Sequence, residues 1–160
     1  MKIKIVTDSA SDLPKGLADE WGVEIMPLLV YVEGVEYLDG VTIQSQELYD
    51  KMIEGKNLKT AQIPLAYFMD KFEAFANGEE HVVYMAFSSV LSGTYQTAVL
   101  AYEEVKERYP DFRMTIIDTK CVSLGLGVIV IETAKLAATG APLEEIIAFI
   151  EKNAVHMVHV

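Results

Sequence analysis

Apolar and polar positions alternate in two rhythms along this 160-residue chain. Residues 2–7 alternate with a period of two and are β-branched, which predicts a strand. A loop dense in capping residues follows at 7–12, and Pro14 suits the first turn of a short helix that stops at Gly22. Residues 23–32 are mostly apolar and read as a second strand, bent at Pro27. A short extended piece at 35–38 lies between the turn signals Glu33-Gly34 and Asp39-Gly40. A helix is expected over 46–53, capped by Ser45 and followed by Gly55. Residues 56–63 read as a polar loop. Pro64 then opens a helix with the stripe Phe68, Phe72 and Phe75, ended by Asn77-Gly78.

The apolar run 82–87 predicts a strand, and after it come Ser88, Ser89, Val90, Leu91, Ser92, Gly93 and Thr94. A helix follows, with Ala98, Ala101, Tyr102 and Val105 on one stripe. Residues 112–117 predict a strand that ends at Asp118-Thr119. A long apolar helix takes up 122–139, and a last helix runs over 143–152 after Pro142. Residues 154–160 read as the start of another strand. Strands alternating with helices predict an α/β fold, a three-layer α/β/α arrangement around a mainly parallel sheet. Such a sheet delivers Asp8-Ser9, residues 88–94 and Asp118-Thr119 to one edge, where these folds bind ligands.

Composition narrows the function. The net charge of −11 argues against nucleic acid and against a surface held by anionic lipid. Residues 1–9 are too short and polar for a signal peptide, and the apolar run 122–131 is too short for a membrane span. A cytoplasmic protein without stable membrane insertion is expected. The single cysteine, Cys121, permits no internal disulfide and reads as a small buried hydrophobe.

The glycine loop between strand and helix is built like an anion site, because first-turn N–H groups lack partners and the helix dipole adds positive charge. It contains no Lys or Arg and matches neither phosphate-loop pattern, so a nucleotide fits poorly. Gly125 and Gly127 lie in a helical run, where they permit close packing. No Gly-x-Ser-x-Gly elbow surrounds Ser92. His81 starts its strand at the far edge, and His156 and His159 fall on opposite faces of the terminal extended piece. Each histidine reads as structural. Asp8 and Asp12 are spaced Asp-x-x-x-Asp rather than Asp-x-Asp, and with Asp118 they read as helix caps. No metal or cofactor is called for. Hydroxyls and free N–H groups without a cation suit one carboxylate, and Thr60 and Gln62 could add donors.

The blocks Thr7-Asp8-Ser9…Asp12-Leu13-Pro14, Pro27-Leu28, Tyr37-x-Asp39-Gly40 and Thr60-x-Gln62 recur in a known order. With Ser88-Ser89-x-Leu91-Ser92-Gly93-Thr94-Tyr95-Gln96-x-Ala98 and Asp118-Thr119…Ser123-x-Gly125-x-Gly127, the chain resembles the DegV family over essentially its whole length. The resemblance implies a non-catalytic bacterial carrier of a long-chain fatty acid, with the acyl chain in an apolar tunnel. It implies that Thr60 and Ser92 hold the carboxylate, with Gln62, Gly93, Thr94 and Ser9 nearby. The partner it implies is an ATP-dependent fatty acid kinase, to which the carboxyl group is presented for acyl-phosphate formation and phospholipid synthesis. Residues 1–153 would be the first of two domains, and 154–160 the start of the second. The family's Thr-Ser-Gln-Pro-Ser block reads Thr60-Ala61-Gln62-Ile63-Pro64 here, which removes two hydroxyls from the cradle. Helix 122–138 and the phenylalanine stripe are candidate tunnel walls. The competing expectation is a small-molecule hydrolase or phosphotransferase with Ser92 as nucleophile.

Overall fold

A computed structural model of the chain describes residues 2–159. Four strands build the main sheet: β1 (Ile3–Asp8), β2 (Glu24–Met26), β6 (His81–Ala86) and β7 (Met114–Asp118). Their order is β2-β1-β6-β7, and every pairing is parallel. β6 is central and buried along its whole length, which is why its sequence is apolar without alternation.

Helices cover both faces. On one face, α1 (Lys15–Glu20), α5 (Ser123–Ala138) and α6 (Leu143–Ala154) pack on Ile5, Val83 and Met85. On the other, α3 (Leu65–Ala76) and α4 (Thr94–Arg108) pack on Val6, Val82 and Tyr84. Successive residues of β1 and β6 feed opposite layers, as strand alternation requires. The expected three-layer α/β/α arrangement is present. The chain moves outward from β1 to β2 through α1, and from β6 to β7 through α4, so the winding reverses between β1 and β6. Open α/β sheets place ligands outside the carboxyl ends at such a point.

A second sheet was not anticipated. Residues 23–32 do not form one bent strand. β2 ends at Met26, and β3 (Leu29–Val32) belongs to an antiparallel sheet with β4 (Val35–Leu38) and β5 (Leu58–Ala61), in the order β4-β3-β5. Pro27 has no N–H to continue a ladder. The Leu28 N–H donates instead to Ser9 Oγ, 3.0 Å away. Residues 56–63, read as a loop, contain β5, whose Thr60 pairs with Val30. α2 (Ser45–Ile53) connects β4 to β5 and buries no residue fully. Residues 154–159 form no strand, because α6 runs through Ala154 and a turn follows; Val160 lies outside the described residues.

Phe68 and Phe72 are fully buried and stack with Tyr84 and Phe112, so this stripe is closed core rather than a tunnel wall. α5 is core on its inner side through Leu126, Ile129 and Val130, while Leu124 and Val128 are exposed. The glycine pair in α5 does permit close packing. A β-carbon at position 127 would sit 2.6 Å from the Ser11 carbonyl oxygen, and one at 125 would sit 2.5 Å from His159 Nε2.

Gly127→Ala should therefore destabilise the fold by about 1–3 kcal/mol from overpacking, offset in part by the roughly 1 kcal/mol of helix propensity that alanine adds. Urea unfolding is expected to show a lower midpoint than the parent chain.

Candidate functional site

The carboxyl ends of β1, β6 and β7 deliver three loops to one rim. Each loop is tied to its neighbour by a side chain. Thr7 Oγ1 donates to the Met85 carbonyl, 2.8 Å, and the Phe87 N–H donates to Asp8 Oδ2, 2.9 Å. Thr119 Oγ1 donates to the Ala86 carbonyl, 2.8 Å, and the Ser88 N–H donates to the Cys121 carbonyl, 2.9 Å. Asp118 accepts both the N–H and the O–H of Ser89. The rim is thus a cross-braced platform, and most of its hydroxyls and carboxylates serve the bracing.

What remains lies at the start of α4. The Ser92 and Thr94 hydroxyls share a hydrogen bond of 2.9 Å, and the Thr94 N–H donates to Ser92 Oγ, 3.1 Å. Thr94 is fully buried, whereas Ser92 is half-buried and Gly93 exposed. Thr94 therefore stands behind Ser92 and holds it. Gln62 reaches across from the end of β5, and its Nε2 donates to Thr97 Oγ1, 3.1 Å. A β-carbon at position 93 would run into Gln62 Oε1, so a larger residue there would displace the Gln62 amide from its present position. The sequence-predicted Gln62, Ser92, Gly93 and Thr94 meet in one place. Thr60 is exposed on β5, two residues from Gln62 and on the same strand face. Ser9 is half-buried on the neighbouring loop, and its oxygen is engaged by Leu28.

The loop tip beside the cradle is apolar and open, whereas the groove at the neighbouring strand end is mixed, with Lys4, Asp12, Glu24 and Lys71 among its lining. Val90 and Leu91, at the tip of the β6–α4 loop, are 83% and 64% exposed. A groove of about 1040 Å³ runs beside the β1 end, bordered by Ser9, Leu13, Val41, Tyr49, Tyr67 and Leu124. Among the described residues no helix is long and apolar enough to cross a membrane, and no three metal-type side chains cluster.

Other predicted chemistry is accounted for. His81 Nε2 pairs with Thr115 Oγ1 at 2.8 Å, at the amino end of its strand and far from Ser92. Burial, with Arg113 nearby, lowers its pKa. His159 Nε2 accepts the Val122 N–H, 3.2 Å, and so caps α5 over the space that Gly125 leaves. Cys121 is buried, and burial raises its thiol pKa.

A family model for DegV, described as uncharacterised proteins, matches residues 2–160. The chain belongs to the DegV family. It is similar to a DegV domain-containing protein of Clostridium perfringens, at 34% identity over 99% of this chain and 55% of that one. Another, from Caldanaerobacter subterraneus, is 38% identical over 92% of this chain and 51% of its own length. Among solved structures, a stearic-acid-binding protein of Eubacterium ventriosum superposes with a TM-score of 0.88 at 30% identity, covering 94% of this chain and 52% of that one. A DegV family protein of Thermus thermophilus, described for fatty acid binding, gives 0.84 at 35% identity, covering 97% and 54%. The chain spans about half the length of the DegV relatives it matches.

In this DegV chain Asp8 does stand at the cap position of the Ser9–Ser11 turn, though its carboxylate is bonded chiefly to β6 and the loop after it, whereas Asp12 and Asp118 are not helix N-caps. Asp12 has left-handed backbone after the Ser9–Ser11 turn, and Asp118 braces two loops. Asp8 is fully buried; Tyr84 O–H and Phe87 N–H both donate to Oδ2, while Oδ1 and the equally buried Ser11 Oγ have no partner. Burial raises the Asp8 pKa from 3.8 to about 7, against the opposing pull of Phe87, Tyr84 and the nearby Ala10 N–H. The signal in sequence was an acid directly after a β-branched strand, which leaves its role open.

The sign of the resulting pH dependence is fixed. Asp8 binds its proton more tightly folded than unfolded, so its contribution to stability is full below pH 3.8 and is lost as pH rises to about 7. Asp8→Asn should remove this decline. Thermal unfolding between pH 4 and pH 7 is expected to show a smaller loss of stability in the variant than in the parent chain.

Proposed function

We propose that this chain binds a long-chain fatty acid and holds its carboxylate through hydroxyl and backbone N–H groups. The observation that carries the reading is the cation-free cradle at the amino end of α4. There Ser92 Oγ, fixed by Thr94, is half-buried between the exposed Leu91 and Gly93 at the first turn of the helix. Such a cradle suits a single negative charge: the Thr94 N–H is spent on Ser92 Oγ, the next first-turn N–H groups have no intrahelical acceptor, and the helix dipole favours an anion. Thr60 adds a hydroxyl from β5, and Gln62 fixes the distance between β5 and α4. Ser9 keeps an O–H to donate, since Leu28 uses only its acceptor capacity. The side chains of Ala61 and Pro64 bring no hydroxyl, so Thr60 is the hydroxyl residue of the 60–64 stretch.

Exposed Val90 and Leu91 beside the cradle offer apolar surface to the first methylenes of a tail. Each buried methylene contributes about 0.8 kcal/mol, and each hydrogen bond to the carboxylate about 1.5–3 kcal/mol. The tail then supplies affinity and the cradle orientation. The two fatty-acid-binding relatives at 30% and 35% identity support the ligand class. On this reading the protein is a carrier that presents the carboxyl group to a fatty acid kinase for phospholipid synthesis. On this reading Ser92 is a ligand contact, which its pairing with the Thr94 hydroxyl rather than with a base supports.

Mass spectrometry of a denatured extract of the purified protein tests the ligand. A co-purifying long-chain fatty acid is expected, and Ser92→Ala should weaken oleate binding about tenfold by titration calorimetry. A parent chain that neither carries nor binds any long-chain fatty acid would sink the reading.

A further inference from the structure

The loop from β6 to α4 holds its most exposed residues just before Ser92, and this raises the question of what keeps Ser92 in place. Its first residues are tied to the sheet. Phe87 is held by Asp8, and Ser88 by the Cys121 carbonyl. Val90 and Leu91 make only local turn bonds, from their N–H groups to Ser88 Oγ (3.3 Å) and the Ser88 carbonyl (3.0 Å). Ser89 is therefore the last point at which another strand end grips the loop before the cradle. All of that grip comes from Asp118. Its Oδ2 accepts the Ser89 O–H at 2.5 Å, and its Oδ1 accepts the Ser89 N–H at 3.1 Å. The Lys120 N–H, 3.2 Å from Oδ1, orients the same carboxylate from its own loop.

We propose that Asp118 is a positioning residue for the carboxylate cradle: by clamping Ser89 at two points it sets where Ser92 stands, and so sets the affinity for a carboxylate ligand. The proposal rests on the fatty-acid reading for its ligand and on geometry for its mechanism. The short O–H to carboxylate bond is of the charge-assisted kind, stronger than a neutral one. It also takes the only hydroxyl proton of Ser89. Ser89 is thereby removed as a donor to ligand, although it lies in the same hydroxyl-rich stretch as Ser92. The two serines divide the work: one anchors the loop and the other faces the rim. The Asp118 carboxylate bonds to Ser89 and Lys120 rather than to the cradle, so its influence passes through Ser89 and the two-residue turn beyond it.

Binding and exchange measurements on this chain separate the possibilities. Asp118→Ala removes both clamp points and should weaken oleate binding about tenfold. Asp118→Asn should recover part of the loss, because its amide keeps an acceptor for the Ser89 N–H and offers a donor that the Ser89 hydroxyl can accept. In a Ser92→Ala background Asp118→Ala should cost nothing further, since the effect runs through Ser92. A variant that only loosens the fold would weaken binding equally in both backgrounds, and that result overturns the proposal. So does unchanged affinity in Asp118→Ala. Amide exchange without ligand covers the remaining case. Asp118→Ala and Ser89→Ala should speed exchange at Leu91, Ser92 and Thr94 while leaving β1 and β6 protected. Unchanged exchange at those three amides overturns the clamp. A parent chain that binds no oleate overturns the functional reading instead, and the exchange result still decides the clamp.

Discussion

Where parallel strands stop, their backbone groups lose ladder partners while still buried, and the rim of this sheet is organised by that constraint. An unpaired buried donor or acceptor costs about 1–3 kcal/mol. Thr7 and Thr119 satisfy the Met85 and Ala86 carbonyls, and Asp8 and Asp118 satisfy the Phe87 and Ser89 N–H groups. Polar side chains at the ends of β1 and β7 therefore serve the end of β6. The rim is polar for structural reasons first. On the proposed reading, ligand chemistry uses what the bracing leaves over, chiefly Ser92 and the start of α4.

This explains how far the sequence could be read. The strand and helix rhythm, the burial of the 82–87 run and the rim itself were legible, because each follows from local periodicity. The second sheet was not. β5 has four residues, two of them exposed, and its partner β3 lies some thirty residues earlier. Pairing over that separation leaves no mark in a short polar stretch. The region 23–32 looked continuous because apolar character persists across Pro27, while the change of sheet depends on a hydrogen bond from Leu28 to Ser9. The Phe68 and Phe72 stripe looked the same whether it faced a tunnel or a core, and Tyr84 and Phe112 close it.

The cradle was partly legible for a similar reason. Four hydroxyls in seven residues signalled more than one cap, and the structure divides them: Ser88 and Ser89 stabilise the loop, Thr94 backs Ser92, and Ser92 faces outward. Residue type alone could not assign those parts, because a hydroxyl serves equally as brace, support or ligand contact. Asp8 shows the same ambiguity. Complete burial raises its pKa, whereas capping at a surface would have left it an ordinary carboxylate.

The small antiparallel sheet has a consequence for timing. Its buried apolar cluster is Val30, Val32 and Ile43, against more than a dozen buried residues on one face of the main sheet. Units with few buried apolar contacts open at lower free-energy cost than the core they adjoin. Thr60 rides on this weaker unit and Ser92 on the stronger one. On the proposed reading the two sides of the cradle thus keep different clocks: the Ser92 side waits, preformed, while the Thr60 side, tied to α4 through the Gln62–Thr97 hydrogen bond, opens more readily than the main sheet.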